Sequence, residues 1–391
     1  MKRLIPLLLC VLLLAGCRSI YPEEYLYLET HEALYAYQGT ASAATEPEET
    51  EEPPLRPVSY LSYIRVGIQE MLRNDETSAR FLLRDYHGET ENLPEIVRND
   101  LESYSPKYVY NAELTLETET TDQGLVLNVK VKPGMTGTEL KSIPSRLYSS
   151  AVPLICDALV EHKSSFMIEI TGYVETNFVE LLEDYALTHP SEIIEIPQIG
   201  VTVMPDSGSV RFVLLQFKYN NNEDTFTREQ EIVKSLLDRY QNMYTDLEEP
   251  QSFLDTTYKL LVPASGYRNR ENATVYSLLL SKEGSSRIMA AVAAYLCGQA
   301  GQSCKVVKGE REGELWYWNQ IQTETESLYF DLHAAALNDT VPVLMTAEEL
   351  VGYSWDREKY PEVEAPEPTE PTETEESEAT EASTEDAPET P

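Results

Sequence analysis

Residues 283–290 read Glu-Gly-Ser-Ser-Arg-Ile-Met-Ala, and the organisation of the last third of the chain follows from this stretch. An Ala-rich apolar run continues from it to Cys297 and is followed by glycines, which is typical of a buried helix that stops at a turn. Three short segments then alternate apolar and polar residues between polar turns: 303–309, 315–322 and 328–333. The pattern predicts one helix followed by three antiparallel strands.

Several residues in this part of the chain match a known family pattern. That family has a Gly and an Ala around the helix start and a Gly where the helix ends. It then has a strand that ends in Gly, a strand with a Trp-Asn pair and a strand with an Asp. The corresponding residues are Gly284, Ala290, Gly301, Gly309, Trp318, Asn319 and Asp331. Residues 226–360 therefore resemble a transglutaminase-like domain, and the resemblance implies an α+β fold built on a papain-like core.

The resemblance also assigns the three positions at which the family keeps its catalytic residues. Ser286 stands at the position of the nucleophilic Cys and Trp316 at that of the His, and Asp331 keeps the family's residue type. A Cys–His pair works because the imidazole takes the thiol proton and the thiolate then attacks. An indole N–H donates a hydrogen bond but does not accept a proton. We therefore predict a transglutaminase-like domain whose catalytic pair is lost.

His333 allows two interpretations, and the first is that it acts as a displaced base for Ser286. If the segment that carries Asp331 is a strand, His333 points to the same face as Asp331. The interpretation that we favour is a half-buried or surface histidine at a strand end, because a triad requires geometry and not proximity alone. Trp316 and Trp318 also allow two interpretations, an aromatic floor of a peptide or glycan cleft and packing within the sheet. Their alternating positions favour packing.

The composition excludes several classes of function. The formal net charge of −37 argues against a nucleic-acid partner. Residues 361–391 hold twelve acidic residues and no Lys or Arg, and without them 55 acidic residues remain against 30 basic ones. This Glu/Pro/Thr-rich tail has almost no large apolar residue, so we predict that it is disordered. The sequence shows no phosphate loop, metal-ligand cluster or cofactor motif, so no cofactor and no metal are expected.

The N-terminus predicts export. Lys2 and Arg3 precede an apolar run that ends in Leu-Ala-Gly-Cys at residues 14–17, which predicts a signal peptide at residues 1–16. The ending resembles the bacterial lipoprotein box. That resemblance implies a diacylglycerol on Cys17 and an extracytoplasmic protein held to membrane lipid by its acyl chains. Residues 17–57 would then be the lipid anchor and a flexible linker. The alternative is an ordinary secretory signal with a chance Cys.

Three further cysteines remain in the exported chain, and an odd number does not make a disulfide framework. Cys297 and Cys304 have the spacing to pair across the predicted helix-to-strand turn. The interpretation that we favour places Cys297 in the buried helix and Cys304 in the strand, both unpaired. Cys156 lies in the middle of the chain, and Cys10 leaves with the signal peptide.

The middle of the chain contains an internal repeat of two α+β modules, residues 58–137 and 138–225. The turn Asp-Gln-Gly at 122–124 recurs 84 residues later as Asp-Ser-Gly at 206–208. Each module predicts a helix, a strand, a second helix and two antiparallel strands joined by this turn. Helices would then cover one face of each sheet. Neither module shows a catalytic motif.

These observations predict a membrane-anchored extracytoplasmic lipoprotein. Its transglutaminase-like domain would be inactive and would act in binding or scaffolding at the cell envelope, with a cell-wall component or a protein as partner. The alternative is a hydrolase or acyltransferase that uses Ser286 on cell-wall peptide or protein. A third hypothesis, a solute-binding subunit of a transporter, is disfavoured because the repeat does not suit a two-lobed hinged architecture.

Overall fold

The computed structural model describes residues 52–244, 249–263 and 266–363. It confirms the predicted mixed α+β fold, with helices and four sheets. The chain divides into a first unit, residues 1–238 with 272–281, and a second unit that contains the remainder. The predicted boundary after residue 225 falls earlier than this division. The predicted signal peptide, Cys17 and all but the first residues of the acidic tail lie outside the described residues.

The first unit begins with a four-stranded sheet of strand order β1-β2-β4-β3. Strand β1 runs parallel to β2, whereas β4 is antiparallel to both β2 and β3. The elements are β1 (Leu55–Val58), α1 (Leu61–Arg73), β2 (Ser78–Leu83), α2 (Leu93–Tyr104), α3 (Pro106–Val109), β3 (Ala112–Thr121) and β4 (Gly124–Pro133).

A second sheet in the same unit has the order β5-β6-β8-β7 and the same pattern of parallel and antiparallel pairs. Its elements are α4 (Gly137–Ser142), β5 (Ser145–Leu147), α5 (Tyr148–Val160), β6 (Ser165–Thr171), α6 (Phe178–Thr188), β7 (Gln198–Met204) and β8 (Val210–Lys218). The two sheets of this unit therefore share one strand order and one pattern of pairing. Helix α7 (Glu223–Gln241) follows, with its last three residues in the second unit, and a short π-helix (Ser277–Ser281) belongs to the first unit.

The predicted linker is wrong at its end, because residues 55–57 belong to β1. Four residues that include Pro57 carry no recognisable strand pattern, and proline is tolerated in a strand only at an edge or at the first residue. Pairing with β2 supplies the hydrogen bonds that define this strand. Strand β5 was not predicted for the same reason: it is a three-residue edge strand that exists through its parallel pairing with β6.

Helix α1 is held on its sheet by a regular apolar stripe. Ile64, Ile68 and Met71 are fully buried and recur at helical spacing. Gly67 lies on the same face, where a Cβ would approach the Phe81 ring to 2.5 Å. Only the smallest side chain therefore allows the helix to approach the sheet this closely.

The two sheets of the first unit are joined by a buried polar contact. Lys107 in α3 is 7% exposed, and its Nζ donates to the Ile143 carbonyl at 3.2 Å and to the Ser145 hydroxyl at 2.8 Å. Its ammonium also lies 4.0 Å from the Glu169 carboxylate on β6. Burial lowers the pKa of Lys107 and the Glu169 charge opposes that shift. A charged group at this depth is stabilised only by such partners.

The second unit contains residues 283–290 and the helix and strands predicted to follow them. Its sheet has the strand order β13-β12-β11-β14, and all pairs are antiparallel. The elements are α8 (Pro250–Leu261), β9 (Arg268–Asn269), β10 (Glu283–Gly284), α9 (Ser286–Gln299), β11 (Ser303–Arg311), β12 (Glu314–Gln322), β13 (Ser327–Phe330), α10 (Leu332–Asn338) and β14 (Tyr353–Trp355). One helix followed by three antiparallel strands is the predicted order.

Two details of this unit differ from the prediction. The strand expected at 328–333 ends at Phe330, and His333 lies in helix α10. The argument that placed His333 and Asp331 on one face of a strand is therefore wrong. Strand β14 was not predicted. It packs so closely on β11 that a Cβ at Gly309 would lie 2.2 Å from the Ser354 carbonyl oxygen.

Candidate functional site

Ser286, at the predicted nucleophile position, is the first residue of α9. Ser285 caps the helix, because its hydroxyl accepts a hydrogen bond from the Ile288 amide at 3.4 Å. Ser286 is 9% exposed, and α9 packs on β11, β12 and α10. The sequence therefore places a serine at a helix N-terminus, where the helix dipole favours negative charge.

Trp316 and Asp331, the two other predicted positions, are in direct contact. The Trp316 Nε1–H donates a hydrogen bond to Asp331 Oδ2 at 2.7 Å. Tyr353 on β14 donates its hydroxyl to the same oxygen at 2.8 Å. The other oxygen, Oδ1, accepts from the Ala334 amide at 2.8 Å and so caps α10. Asp331 is thus both a helix cap and the centre of a buried hydrogen-bonded cluster.

Burial controls the proton affinity of this carboxylate. Asp331 is 6% exposed, and desolvation raises its pKa above the ordinary value. The three hydrogen bonds that it accepts and the nearby Arg311 charge oppose this shift. The Arg311 guanidinium lies 5.2 Å from the centre of the Trp316 ring and 5.4 Å from that of Tyr353. Each donor therefore compensates part of the cost of burying the charge.

His333 is buried beside this cluster but belongs to a different hydrogen-bonded pair. It is 1% exposed, and its Nδ1 lies 2.7 Å from the Tyr267 hydroxyl. Burial, assisted by the Arg311 charge, lowers the pKa of His333 to about 4, so the imidazole is neutral at pH 7. Its ring also packs on Trp316, with centroids 5.0 Å apart.

A Ser–His–Asp relay is not assembled. Both oxygens of Asp331 are occupied by donors other than His333, and Nδ1 of His333 is occupied by Tyr267. Within the described residues, no hydrogen bond joins the Ser286 hydroxyl to an imidazole or a carboxylate. A triad requires the base to be oriented by a carboxylate and bonded to the nucleophile, and neither contact is present.

The Trp-Asn pair of β12 has a structural role. Trp318 is 1% exposed and packs between Tyr353 and Trp355, with ring centroids 5.1 and 5.5 Å away. Asn319 points to the opposite face, where its Nδ2 donates to the Ala290 carbonyl of α9 at 2.9 Å. Of the two interpretations of the tryptophans, packing describes Trp318.

Three residues of the cluster were missed by the sequence analysis: Tyr267, Arg311 and Tyr353. Arg311 was assigned to a polar turn, and its neighbours Glu310 and Glu312 gave it the appearance of a solvated charge. Tyr267 and Tyr353 lie in segments for which no motif was identified. Their positions follow from packing between distant segments, so the sequence contained no signal for them.

The described residues also limit other kinds of site. No three His, Cys, Asp or Glu side chains come together there as a metal centre would require. Among the helices of the same residues, none has the length and hydrophobicity of a bilayer-spanning segment.

Comparison with family models gives no match, and comparison with curated protein sequences gives none either. Among solved structures, a candidate cysteine protease from Cytophaga hutchinsonii is similar over 40% of this chain and 70% of its own, at 13% identity and a TM-score of 0.22. A structure described as a TGase is similar over 76% of this chain and 84% of its own, at 9% identity and a TM-score of 0.22. These scores are too low to support an argument about fold or function.

Proposed function

We propose that residues 226–360 form a transglutaminase-like domain that has lost its catalytic pair and that binds or scaffolds at the cell envelope. The observation that supports the loss of the catalytic pair is the 2.7 Å hydrogen bond from Trp316 to Asp331. In the family pattern, the residue at position 316 is a His that an Asp orients. The indole makes an equivalent contact with Asp331 but has no lone pair with which to accept a proton.

The alternative, a hydrolase or acyltransferase that uses Ser286, has less support. His333 would have to act as its base, but a pKa of about 4 makes that imidazole a weak proton acceptor at neutral pH. The carboxylate that would orient it is bonded to Trp316 and Tyr353. A serine hydroxyl without an oriented base is a poor nucleophile.

The proposed location follows from residues outside the described structure. The Leu-Ala-Gly-Cys ending at residues 14–17 supports lipidation of Cys17 and anchoring to the outer side of the bacterial cell membrane. The proposed partners are membrane lipid at Cys17 and a cell-wall component or a protein at the folded units. Nucleic acid is not among them, because the net charge of −37 would repel it.

Labelling with a fluorophosphonate probe distinguishes the proposed inactive domain from a hydrolase or acyltransferase that uses Ser286. We expect the wild-type chain to remain unlabelled. The Ser286→Ala variant is the negative control, and a known serine hydrolase at the same concentration is the positive control. Wild-type labelling that disappears in Ser286→Ala would contradict the proposal and favour the alternative.

The assignment of the two degenerate positions is testable by restoring the family residues. Ser286→Cys and the double variant Ser286→Cys/Trp316→His are alkylated with iodoacetamide at a series of pH values. Modification of residue 286 is followed by mass spectrometry, so that the native cysteines do not interfere. If positions 286 and 316 face each other, the imidazole lowers the apparent pKa of the new thiol by about 1 unit or more. Identical pH profiles would show that the two positions do not form a pair.

The anchor and the binding role need separate measurements. Growth with an alkyne-modified fatty acid should label the wild-type protein and not a Cys17→Ser variant, which should appear in the medium. Co-sedimentation of the purified chain with isolated cell-wall sacculi tests the first partner class. If none of the chain sediments, the partner must be sought among proteins by cross-linking in cells.

A further inference from the structure

Two cysteines lie on either side of the turn between α9 and β11. Cys297 lies in the last turn of α9 and is fully buried, whereas Cys304 is the second residue of β11 and is half-buried. The chain reverses between them through a hydrogen bond from the Gln302 amide to the Cys297 carbonyl at 3.0 Å. Helix α9 packs directly on β11. Both thiols are free. Cys304 shares a face of β11 with Val306, whose partner on β12, Asn319, donates to the Ala290 carbonyl of α9, so Cys304 lies on the face of the strand that α9 covers.

The thiol pair lies in the contact between helix and sheet, away from Ser286. Asn319 Nδ2 lies 3.5 Å from the carbonyl oxygen of Lys305, the residue after Cys304, and donates to the Ala290 carbonyl, which ties β12 to α9. Cys297 is eleven residues after Ser286 on the same helix, a distance of about 16 Å along the axis. The pair therefore lies outside the candidate site. A bond between its sulfur atoms would link the end of α9 covalently to the sheet.

We propose that Cys297 and Cys304 are a disulfide site, and that a small-molecule disulfide oxidant converts the pair into an intrachain bond that fixes the end of α9 to β11. The Cys304 thiolate attacks a sulfur of the oxidant, and one thiol leaves. The Cys297 thiolate then attacks Cys304 and releases the second thiol. The chain loses two protons and two electrons, and the oxidant is reduced to two thiols. The chemistry does not depend on the proposed function; its occurrence in the cell requires export to an oxidising compartment.

The rate of the reaction should depend on pH. Burial and the neighbouring Cys297 raise the pKa of the Cys304 thiol well above its ordinary value. The thiolate is therefore a minor species at neutral pH, and the oxidation rate should rise about tenfold for each pH unit below that pKa. Cys156 offers a control within the chain. It is buried in α5, burial raises its pKa to about 11, and among the described residues of its unit it is the only cysteine.

The test uses the full chain, first reduced and then equilibrated in buffers of increasing oxidised-to-reduced glutathione ratio. After alkylation and tryptic digestion, residues 288–305 form one peptide because no Lys or Arg interrupts them before Lys305. As the disulfide forms, we expect this peptide to carry no alkyl group and to be about 2 Da lighter than the unalkylated dithiol peptide. The Cys156 peptide should keep its alkyl group throughout.

Stability provides a second readout. The bond closes a loop of eight residues from Cys297 to Cys304, which should raise the melting temperature of the second unit by roughly 5–10 °C. Tryptophan fluorescence follows this unit selectively, because all three tryptophans of the chain lie in it. Cys156→Ser should keep the rise, and Cys304→Ser should abolish it. Two alkyl groups on the 288–305 peptide in the most oxidising buffer, or a stable glutathione adduct on Cys304, would overturn the proposal.

Discussion

Replacing Trp316 by Phe removes the hydrogen bond on which the proposed loss of activity rests and keeps an aromatic ring in its place. The indole N–H donates to a carboxylate that is 6% exposed. Removing a donor from a buried charged acceptor costs about 1.5–3 kcal/mol in the free energy of unfolding. Asp331 would keep two donors, Tyr353 and the Ala334 amide, so the structure should survive the change.

The pH dependence of this loss identifies its cause. Burial already raises the pKa of Asp331, so the folded state binds a proton more tightly than the unfolded chain. The stability contribution from this group is therefore lost as pH rises from the ordinary value, about 3.9, through the raised one. Trp316→Phe raises the folded pKa further. The loss of stability should be largest near pH 7 and should shrink as pH falls and Asp331 becomes protonated.

The chain contains a matched control for this experiment. Trp318 lies two residues away on the same strand and is fully buried, whereas Trp316 is half-buried, and the Trp318 Nε1 has no hydrogen-bond partner among the described residues. Trp318→Phe therefore removes the same atoms without removing a hydrogen bond. Urea unfolding of both variants is followed by tryptophan fluorescence between pH 4 and pH 8. Equal losses in the two variants, constant with pH, would refute the role assigned to Trp316.

Four further outcomes are expected. Burial lowers the folded pKa of His333 to about 4, so the contribution of this residue to stability is lost as pH falls from about 6.5 toward 4. His333→Gln should remove up to about 3 kcal/mol of this pH dependence in the free energy of unfolding, measured with urea. Lys107→Met leaves the Glu169 carboxylate buried without its cation, so it should cost about 3–5 kcal/mol by circular dichroism, and the double variant with Glu169→Met should recover most of it. Gly309→Ala should lower the melting temperature because its Cβ would lie 2.2 Å from a carbonyl oxygen of β14. The exposed Gly298→Ala has free space around it and should stabilise α9 by about 0.5–1 kcal/mol. A stabilising Gly309→Ala, a His333→Gln variant with an unchanged pH profile, or a Lys107→Met loss that persists in the double variant would contradict these assignments.

Long elements with a strong hydrophobic period were predictable. The Ala-rich run after Ser286 predicted α9, and the alternating residues of β11 and β12 predicted two neighbouring strands. In each case the hydrophobic period alone indicates which residues face the core. The edge strands β1, β5 and β14 have three or four residues each and were not predicted. Such short strands exist only through hydrogen bonds to a partner strand, and a local pattern does not contain that information.

The position of His333 shows the same limit at the site. The segment after Ser327 alternates like a strand, but Asp331 caps a helix with its own carboxylate, and α10 begins at Leu332, one residue before His333. The local sequence does not distinguish an aspartate at the end of a strand from an aspartate that caps a helix. The other oxygen of that carboxylate accepts hydrogen bonds from Trp316 and Tyr353, which lie on two other strands.

The sequence by itself determined the residue types at the degenerate positions, the acidic balance of the chain and the order of helix and strands in its last third. These properties depend on residue identity and local period alone. Only the tertiary structure decided that Asp331 binds Trp316 and not an imidazole, that His333 pairs with Tyr267, and that Cys304 lies on the face of β11 that α9 covers. Each of these contacts joins side chains from different elements. Packing sets their distances, so no local pattern in the sequence specifies them.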